Sequence, residues 1–533
     1  MSKAQKNFLS GAIILTVANA LVKVIGAIYK IPLANLIGTV GMNYYNDAYQ
    51  IYSLLYVLST AGVPVAIAKM VSESIVRRRL EEPKKILKIS TGLFAAIGIL
   101  LAALMVINVE PISRLLSNDT ANYCISMIAP AIFLVAVSST IKGYFQGYKC
   151  MTPTAVYQVI EAAFKLVGLG IVVAMGHRGV TDPMILACGG VLGVSFGSFA
   201  ATLFMLIRVL MEHDLGKDTA GSLPSRSGAA LAKIILSLAI PISLSSAVMS
   251  VTSTLDMFLV KWNLGEYGLA PEQVRATYGA YVGATSSLFN LPPTLTVTVG
   301  IAVLPFLTAA FASGKYNDGY KNMRSSAKLV SLIAMPCALG MSVMSEPIVK
   351  LLYSASYWEV AIPTLRVLAI SIFFVSFVSL TSVFLQSVGR VKTALMTMGV
   401  GAVMKLTVNI IMVRNIGIMG APIGTFACYT SITLLNVYFI YKYMGFRFPL
   451  TDTFFKPIVC SALCCGAAYA VWRLLMAAGL SLKIAFFPAL LAALVVYACC
   501  LLFFRVLSKE DMVLIPKGEK LGAFLAKKGW IHE

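Results

Sequence analysis

The sequence predicts an all-α, polytopic membrane protein of about 14 transmembrane helices, with both termini in the cytoplasm. Three observations carry this. Of 533 residues, 59% are hydrophobic and only 12% charged, where a soluble chain has about a quarter charged. Fourteen apolar segments are each long enough for a helix of about 20 residues. The basic residues between those segments fall overwhelmingly on alternate loops.

The segments run over 8–37, 44–76, 86–108, 120–146, 153–175, 183–208, 229–260, 276–311, 327–345, 361–388, 393–413, 420–441, 456–477 and 484–507. Several exceed the length of a flat crossing, which predicts tilt or extension into the interface. Lys3 and Lys6 precede the first segment with no small-residue cleavage site after it, so that segment reads as a retained helix. With the N-terminus inside, the inner loops collect Arg77, Arg78, Arg79, Lys84, Lys85 and Lys88, then Lys142 and Lys149, and so on through Lys315, Lys321, Arg324 and Lys328 to Lys442, Arg447 and Lys456. The outer loops hold only Arg114, Arg178, Lys261, Arg275, Lys350, Arg414 and Lys483. That bias of about four to one is the positive-inside pattern, and one helix more or fewer would invert every later loop. The formal charge of +21 therefore belongs to membrane anchoring, and no nucleic-acid partner is expected. The basic tail after 507 reads either as a helix on anionic inner-leaflet lipid or as a solvated tail.

Enzyme signatures are absent. His177, His213 and His532 lie far apart in loops or tail, and no phosphate-cradling glycine loop is present. Ten cysteines sit mostly inside apolar runs with no metal-ligand spacing and read as small apolar fillers. No cofactor or metal is expected.

The stretch from Gln146 to Ile171 recurs faintly 240 residues later, from Gln386 to Ile411. Each copy ends one apolar segment on a Gln, makes a short basic turn and starts another. That next segment carries a lone lysine at the same offset, Lys165 and Lys405. An intramembrane lysine costs a few kcal/mol, so a matched pair points to a duplicated unit with a polar interior, as in transporters.

Apart from the basic residues assigned to loops at the segment ends, seven remain within the segments: Lys23, Lys30, Lys69, Lys165, Arg366, Lys405 and Arg473. The acidic ones are Asp47, Glu73, Glu161 and Asp256. Lys30, Glu73, Arg366 and Arg473 lie near segment ends and can reach an interface. Lys23, Lys165 and Lys405 are deeper. Glu161 and Lys165, four apart, can pair along one helix face, either as a structural bridge or as part of a binding site. The cationic excess suits an anionic cargo; an exporter of cationic drugs would want carboxylates. Gly26, Pro32, Gly62, Pro64, Pro292 and Pro293 sit where helices can bend, as gating elements or as static packing.

Taken together, LVKVIGAIYKIPLANLIG in the first segment, GVPVAIAKMVSE in the second, QVIEAAFK in the fifth, TLDMFLV in the seventh and VGIAVLPFLTAA in the eighth resemble the multidrug/oligosaccharidyl-lipid/polysaccharide flippase superfamily, in its stage V sporulation protein B and MurJ-like branch. The resemblance spans almost the whole chain through the order of its motifs. It implies two six-helix lobes related by a pseudo-two-fold axis, at 1–215 and 216–445, an added helix pair at 446–507, and a basic cytoplasmic tail at 508–533. It implies a polyprenyl-diphosphate-linked, lipid II-like precursor carried across the plasma membrane by alternating access. Its headgroup would meet Lys23, Lys69, Lys165 and Lys405, with Glu161, Asp47 and Asp256 beside them, and its tail would rest in lipid or along the added pair. The implied partners are that anionic lipid-linked saccharide, membrane lipids and cell-wall synthesis enzymes, with the chain acting as a monomer. Members of this branch use arginines in the first, second and eighth helices; here the first offers Lys23, with Tyr29 near the second position, and the eighth has no basic residue in its core. Lysine cannot clamp a phosphate bidentately, so a looser grip is implied. An ion-coupled antiporter of small cations and a membrane-embedded glycosyltransferase are the alternatives.

Overall fold

The computed structural model describes residues 3–115, 122–211, 223–504 and 506. The basic tail at 508–533 lies outside them. Every described element is helical. Among the described residues, ten helical stretches are long and apolar enough to cross a membrane, or eleven if the pair Ala355–Leu368 and Ser371–Ser387, bent by 46°, counts as one span. The chain forms two compact units, Met1–Lys261 with Ala270–Gly283, and Trp262–Leu269 with Ala284–Glu533.

The first unit starts with α1 (Lys3–Thr60), two helices joined at Gly38, whose φ of 71° and ψ of −178° break the helical path. An L-residue with a side chain rarely adopts that φ, and the break falls where the first apolar segment was expected to end. Next come α2 (Val63–Val76), α3 (Glu82–Ile107), α4 (Val109–Leu115), α5 (Asn122–Gly147), α6 (Thr152–His177) and α7 (Pro183–Met211). Most of α8 (Gly228–Glu266) and all of α9 (Pro271–Ala280) belong here too. Its core joins Ile67, Met70 and Val71 of α2 to Phe145 of α5, Tyr157 of α6 and Leu231 and Ile235 of α8. On the loop side, buried Glu82 accepts from the Arg226 backbone N–H at 2.9 Å and from its guanidinium at 2.6 Å, while Lys85 donates to the Arg226 carbonyl at 2.7 Å. Hydrogen bonding to Glu82 raises the Arg226 pKa. This clamp fixes where α8 begins.

The second unit holds α10 (Ser286–Phe289), α11 (Leu291–Ala312), α12 (Tyr316–Val343), α13 (Ser345–Leu352), α14 (Trp358–Leu368), α15 (Ser371–Ser387), α16 (Val391–Ile416), α17 (Gly420–Met444), α18 (Lys456–Ala477) and α19 (Leu482–Phe503). Phe377 and Phe384 of α15 pack with Val303 and Leu307 of α11 and Val330 of α12 to form its core. On α19, Phe487, Leu491 and Leu494 are exposed, an apolar face that suits lipid.

The 240-residue echo has a structural form. After α5, Lys149 N–H donates to the Gln146 carbonyl at 2.9 Å and Cys150 N–H to the Phe145 carbonyl at 3.0 Å. After α15, Gly389 N–H donates to Gln386 at 2.9 Å and Arg390 N–H to Leu385 at 2.9 Å. Both are Schellman turns, and the left-handed residue is Lys149 (φ 61°) in one and Gly389 (φ 77°) in the other. The following helices, α6 and α16, are each 26 residues long. Glycines then seat the next helix. A Cβ on Gly193 or Gly197 of α7 would lie 2.6 Å from the Lys165 carbonyl oxygen or 2.5 Å from that of Glu161, and one on Gly424 of α17 would lie 1.8 Å from Asn409 Oδ1 of α16. Small residues allow such backbone approach between membrane helices. Gly193→Ala is expected to destabilise the protein by about 1–3 kcal/mol through overpacking, read as a lower unfolding midpoint in detergent; Gly170→Ala, where a Cβ meets nothing within 4 Å, should leave that midpoint in place.

Candidate functional site

Two polar clusters lie inside the first unit. One is built on α6. Lys165 Nζ stands 3.3 Å from Glu161 Oε1, with side chains 24% and 13% exposed, so the pair is sheltered yet reachable. The glycine seam holds the backbone at both residues against α7. Facing them, α1 carries Tyr45, Tyr49, Tyr52 and Tyr56 at helical spacing. Tyr45 and Tyr49 are stacked with centroids 6.0 Å apart, and the ladder continues at 5.9 Å to Tyr52 and 5.7 Å to Tyr56. Glu161 is within electrostatic reach of Tyr52, Tyr56 and Tyr157, and Lys165 of Tyr45 and Tyr49. Lys142 of α5 holds its ammonium 3.7 Å from the Tyr157 ring centre, a cation–π contact. Tyr49 is exposed, whereas Tyr45 and Tyr52 are buried. The result is an aromatic wall with one accessible ring beside a charged pair.

The second cluster joins α1, α8 and α9. Asp47, fully buried, pairs with the buried Lys261 and accepts from Asn43 Nδ2 at 3.1 Å. The Lys261 ammonium also lies 5.0 Å from the Tyr278 ring centre. Nearby, Arg275 Nη1 donates to the Tyr44 hydroxyl at 3.3 Å, and a Cβ on Gly279 would lie 1.8 Å from the Thr39 carbonyl. Further along, Gln50 Nε2 donates to Thr254 Oγ1 at 3.4 Å and the Gly62 N–H to Ser243 Oγ at 3.1 Å. Partners rising from 47 to 62 on one side and falling from 261 to 243 on the other describe an antiparallel seam, with the ion pair at one end. Gly62 is needed there, since its Cβ would lie 2.1 Å from the Ala239 carbonyl oxygen.

The remaining sequence candidates are placed as follows. Lys23 on α1 and Lys69 on α2 are exposed, while Lys405 on α16 and Asp256 on α8 are half-buried. Gly26 lies inside α1 with open space at its Cβ, and Pro32 lies in the same helix before the break at Gly38. Pro64 occupies the first turn of α2, and Pro292 and Pro293 that of α11, positions where a missing N–H costs no helical hydrogen bond. Glu161 and Lys165 are brought together in an ion pair, as their spacing predicts.

Three lysines counted above as loop charges are corrected. Lys142, Lys261 and Lys328 lie inside α5, α8 and α12 and are buried. The seventh apolar segment ends at 260 by hydropathy, one residue short of Lys261, whereas α8 continues to Glu266. The sequence signal for Lys261 was Asp47: a carboxylate deep in an apolar segment needs a cation. Tyr45, Tyr49, Tyr52 and Tyr56 recur at helical spacing in the sequence, but that spacing does not say which helix their face meets.

The match to known proteins agrees with this architecture. The family model described as polysaccharide biosynthesis protein matches residues 8–311, and the chain belongs to that family. A second family model, MatE, matches residues 241–411. Stage V sporulation protein B of Bacillus subtilis strain 168 is 22% identical over 518 residues, covering 96% of this chain and 98% of that one. Lipid II flippase MurJ of the same organism is 22% identical over 466 residues, covering 83% and 84%. A solved structure of lipid II flippase MurJ in an inward closed conformation superposes with a TM-score of 0.71 at 14% identity, over 94% of this chain and 100% of that one. The protein is a multi-pass bacterial membrane transporter of the multidrug/oligosaccharidyl-lipid/polysaccharide flippase superfamily, in its stage V sporulation protein B and MurJ-like branch.

Proposed function

We propose that the protein flips a polyprenyl-diphosphate-linked cell-envelope precursor, lipid II-like in chemistry, to the outer leaflet. The observation that carries this reading is Lys165, held by Glu161 beside the tyrosine wall of the first unit. An ammonium attracts a diphosphate, and an exposed aromatic ring such as Tyr49 offers an apolar face to a sugar. Exposed Lys23 and Lys69 add positive charge, and Lys405 supplies the counterpart in the second unit. Glu161, Asp47 and Asp256 set the local field. The lobe boundaries at 1–215 and 216–445, with the helix pair at 446–507, and the bending roles of Gly26, Pro32, Gly62, Pro64, Pro292 and Pro293 belong to the same proposal. An inside-negative potential favours outward movement of negative charge by about 2.3 kcal/mol per charge per 100 mV.

The match of the MatE model over 241–411 favours one second reading, ion-coupled export of small cations. Complementation separates the two. A bacterial host depleted of its lipid II flippases receives this chain, as wild type and as Lys23→Ala. Rescue by wild type alone is expected, with both proteins at equal membrane levels. Rescue by both variants removes Lys23 from the site. Absence of rescue by folded wild type turns the reading towards another lipid-linked saccharide, or towards the antiporter if drug resistance rises instead.

A further inference from the structure

The cysteines take no part in the transport reading, and one pair among them is placed unlike the rest. Cys124 lies in the first turn of α5 and Cys188 in the second turn of α7, 64 residues apart in sequence. Both are buried, and their Sγ atoms are 2.8 Å apart. Cys124 Sγ also lies 3.8 Å from the Met184 carbonyl oxygen, one turn before Cys188. It therefore sits squarely over the start of α7. That start is itself held, because Met184 N–H donates to Asp182 Oδ1 at 2.8 Å. Among the described residues no cluster of His, Cys, Asp or Glu is suited to a metal, so the pair is not half of a metal site. The other close pair, Cys464 and Cys465, comprises adjacent residues 3.9 Å apart and can tie no two elements together.

A disulfide bond is about 2.05 Å long, so bonding requires the two sulfurs to close by under about 1 Å. We propose that Cys124 and Cys188 form a structural disulfide that staples the start of α5 to the start of α7. The positive-inside pattern puts both starts at the outer face of the membrane, where disulfides form and persist. The oxidant is the disulfide of a thiol–disulfide exchange protein on that face. One cysteine thiolate attacks it, giving a mixed disulfide and releasing one thiol. The second cysteine thiolate then attacks its neighbour's sulfur and expels the other thiol. The two cysteines lose two electrons and two protons, and the oxidant's disulfide becomes two thiols. Exchange precedes burial, during folding. Once buried, the bond is shielded from reductants, because thiol–disulfide exchange needs access to the sulfur.

The staple spans α6 in sequence and so closes the frame that carries Lys165 and Glu161. Membranes containing the full chain are quenched in acid without reductant and denatured. Free thiols are labelled with one maleimide; the sample is then reduced and labelled with a second. The expected result is the second label on Cys124 and Cys188 and the first on Cys150, Cys428 and Cys499. In Cys124→Ser, Cys188 should switch to the first label. First label on both cysteines of the wild type overturns the proposal; so does a second label on Cys188 in Cys124→Ser, which assigns it another partner. As a check independent of labelling, reduction after denaturation and refolding should lower the unfolding midpoint of the wild type and leave that of the double Cys124→Ser, Cys188→Ser variant unmoved; an equal response in both also overturns it.

Discussion

Asp47→Ala is expected to destabilise the protein by about 3–5 kcal/mol, because it leaves the Lys261 ammonium buried without its carboxylate. Lys261→Ala should do the same from the other side, stranding Asp47 with Asn43 as a remaining donor. Replacing both together, Asp47→Leu with Lys261→Met, should recover most of the loss, since apolar residues of similar volume often substitute for a buried pair without penalty. Unfolding midpoints of the four proteins in detergent give the comparison. A double variant no more stable than either single one sinks the pairing argument. Transport supplies a second readout. If the seam from Asp47 to Gly62 must open during the cycle, the stable double variant should fold normally and flip more slowly, with its closed form held by packing that no longer includes a breakable charge contact.

Lys165→Ala is expected to reduce transport by about 10- to 100-fold, the loss of a charge-assisted hydrogen bond worth about 1.5–3 kcal/mol. Glu161→Gln separates structure from cargo binding. If Lys165 serves only to neutralise Glu161, the double variant Lys165→Ala with Glu161→Gln should regain activity. If the ammonium meets the cargo, the double variant stays impaired while Glu161→Gln alone remains active. Lys165→Arg keeps the charge and should retain most activity. Initial rates of headgroup exposure on reconstituted vesicles measure all four. Full activity of a well-folded Lys165→Ala would falsify the assignment.

Much of this was legible in the chain. The apolar segments and the loop charge specified a polytopic helical protein, because hydrocarbon leaves the backbone no partner outside a helix or closed barrel. The four-residue spacing of Glu161 and Lys165 announced their pair. The repeated turn was visible as two glutamines with basic residues behind them, though only the hydrogen bonds show both as Schellman turns. What escaped has specific causes. Lys261 was lost because a hydropathy boundary is uncertain by several residues and a charge at such an edge is assigned to a loop by default. Tyr45, Tyr49, Tyr52 and Tyr56 escaped because nothing in the sequence says which face of α1 meets α6. Cys124 and Cys188 were read as fillers because a contact across 64 residues leaves no local spacing.

The glycine seam between α6 and α7 has a mechanical consequence. Where carbonyl meets Cα with no side chain between, at Gly168, Gly193 and Gly197, there is no soft layer to shear and no rotamer to exchange. A slip of one residue would drive side chains into main chain. The two helices are bolted into a single beam, and the bolts sit at the depth of Lys165. In the proposed cycle, a motion that turns this lysine from one face of the membrane to the other must carry both helices as a body, so the compliance of that cycle resides in the joints at either end of the beam.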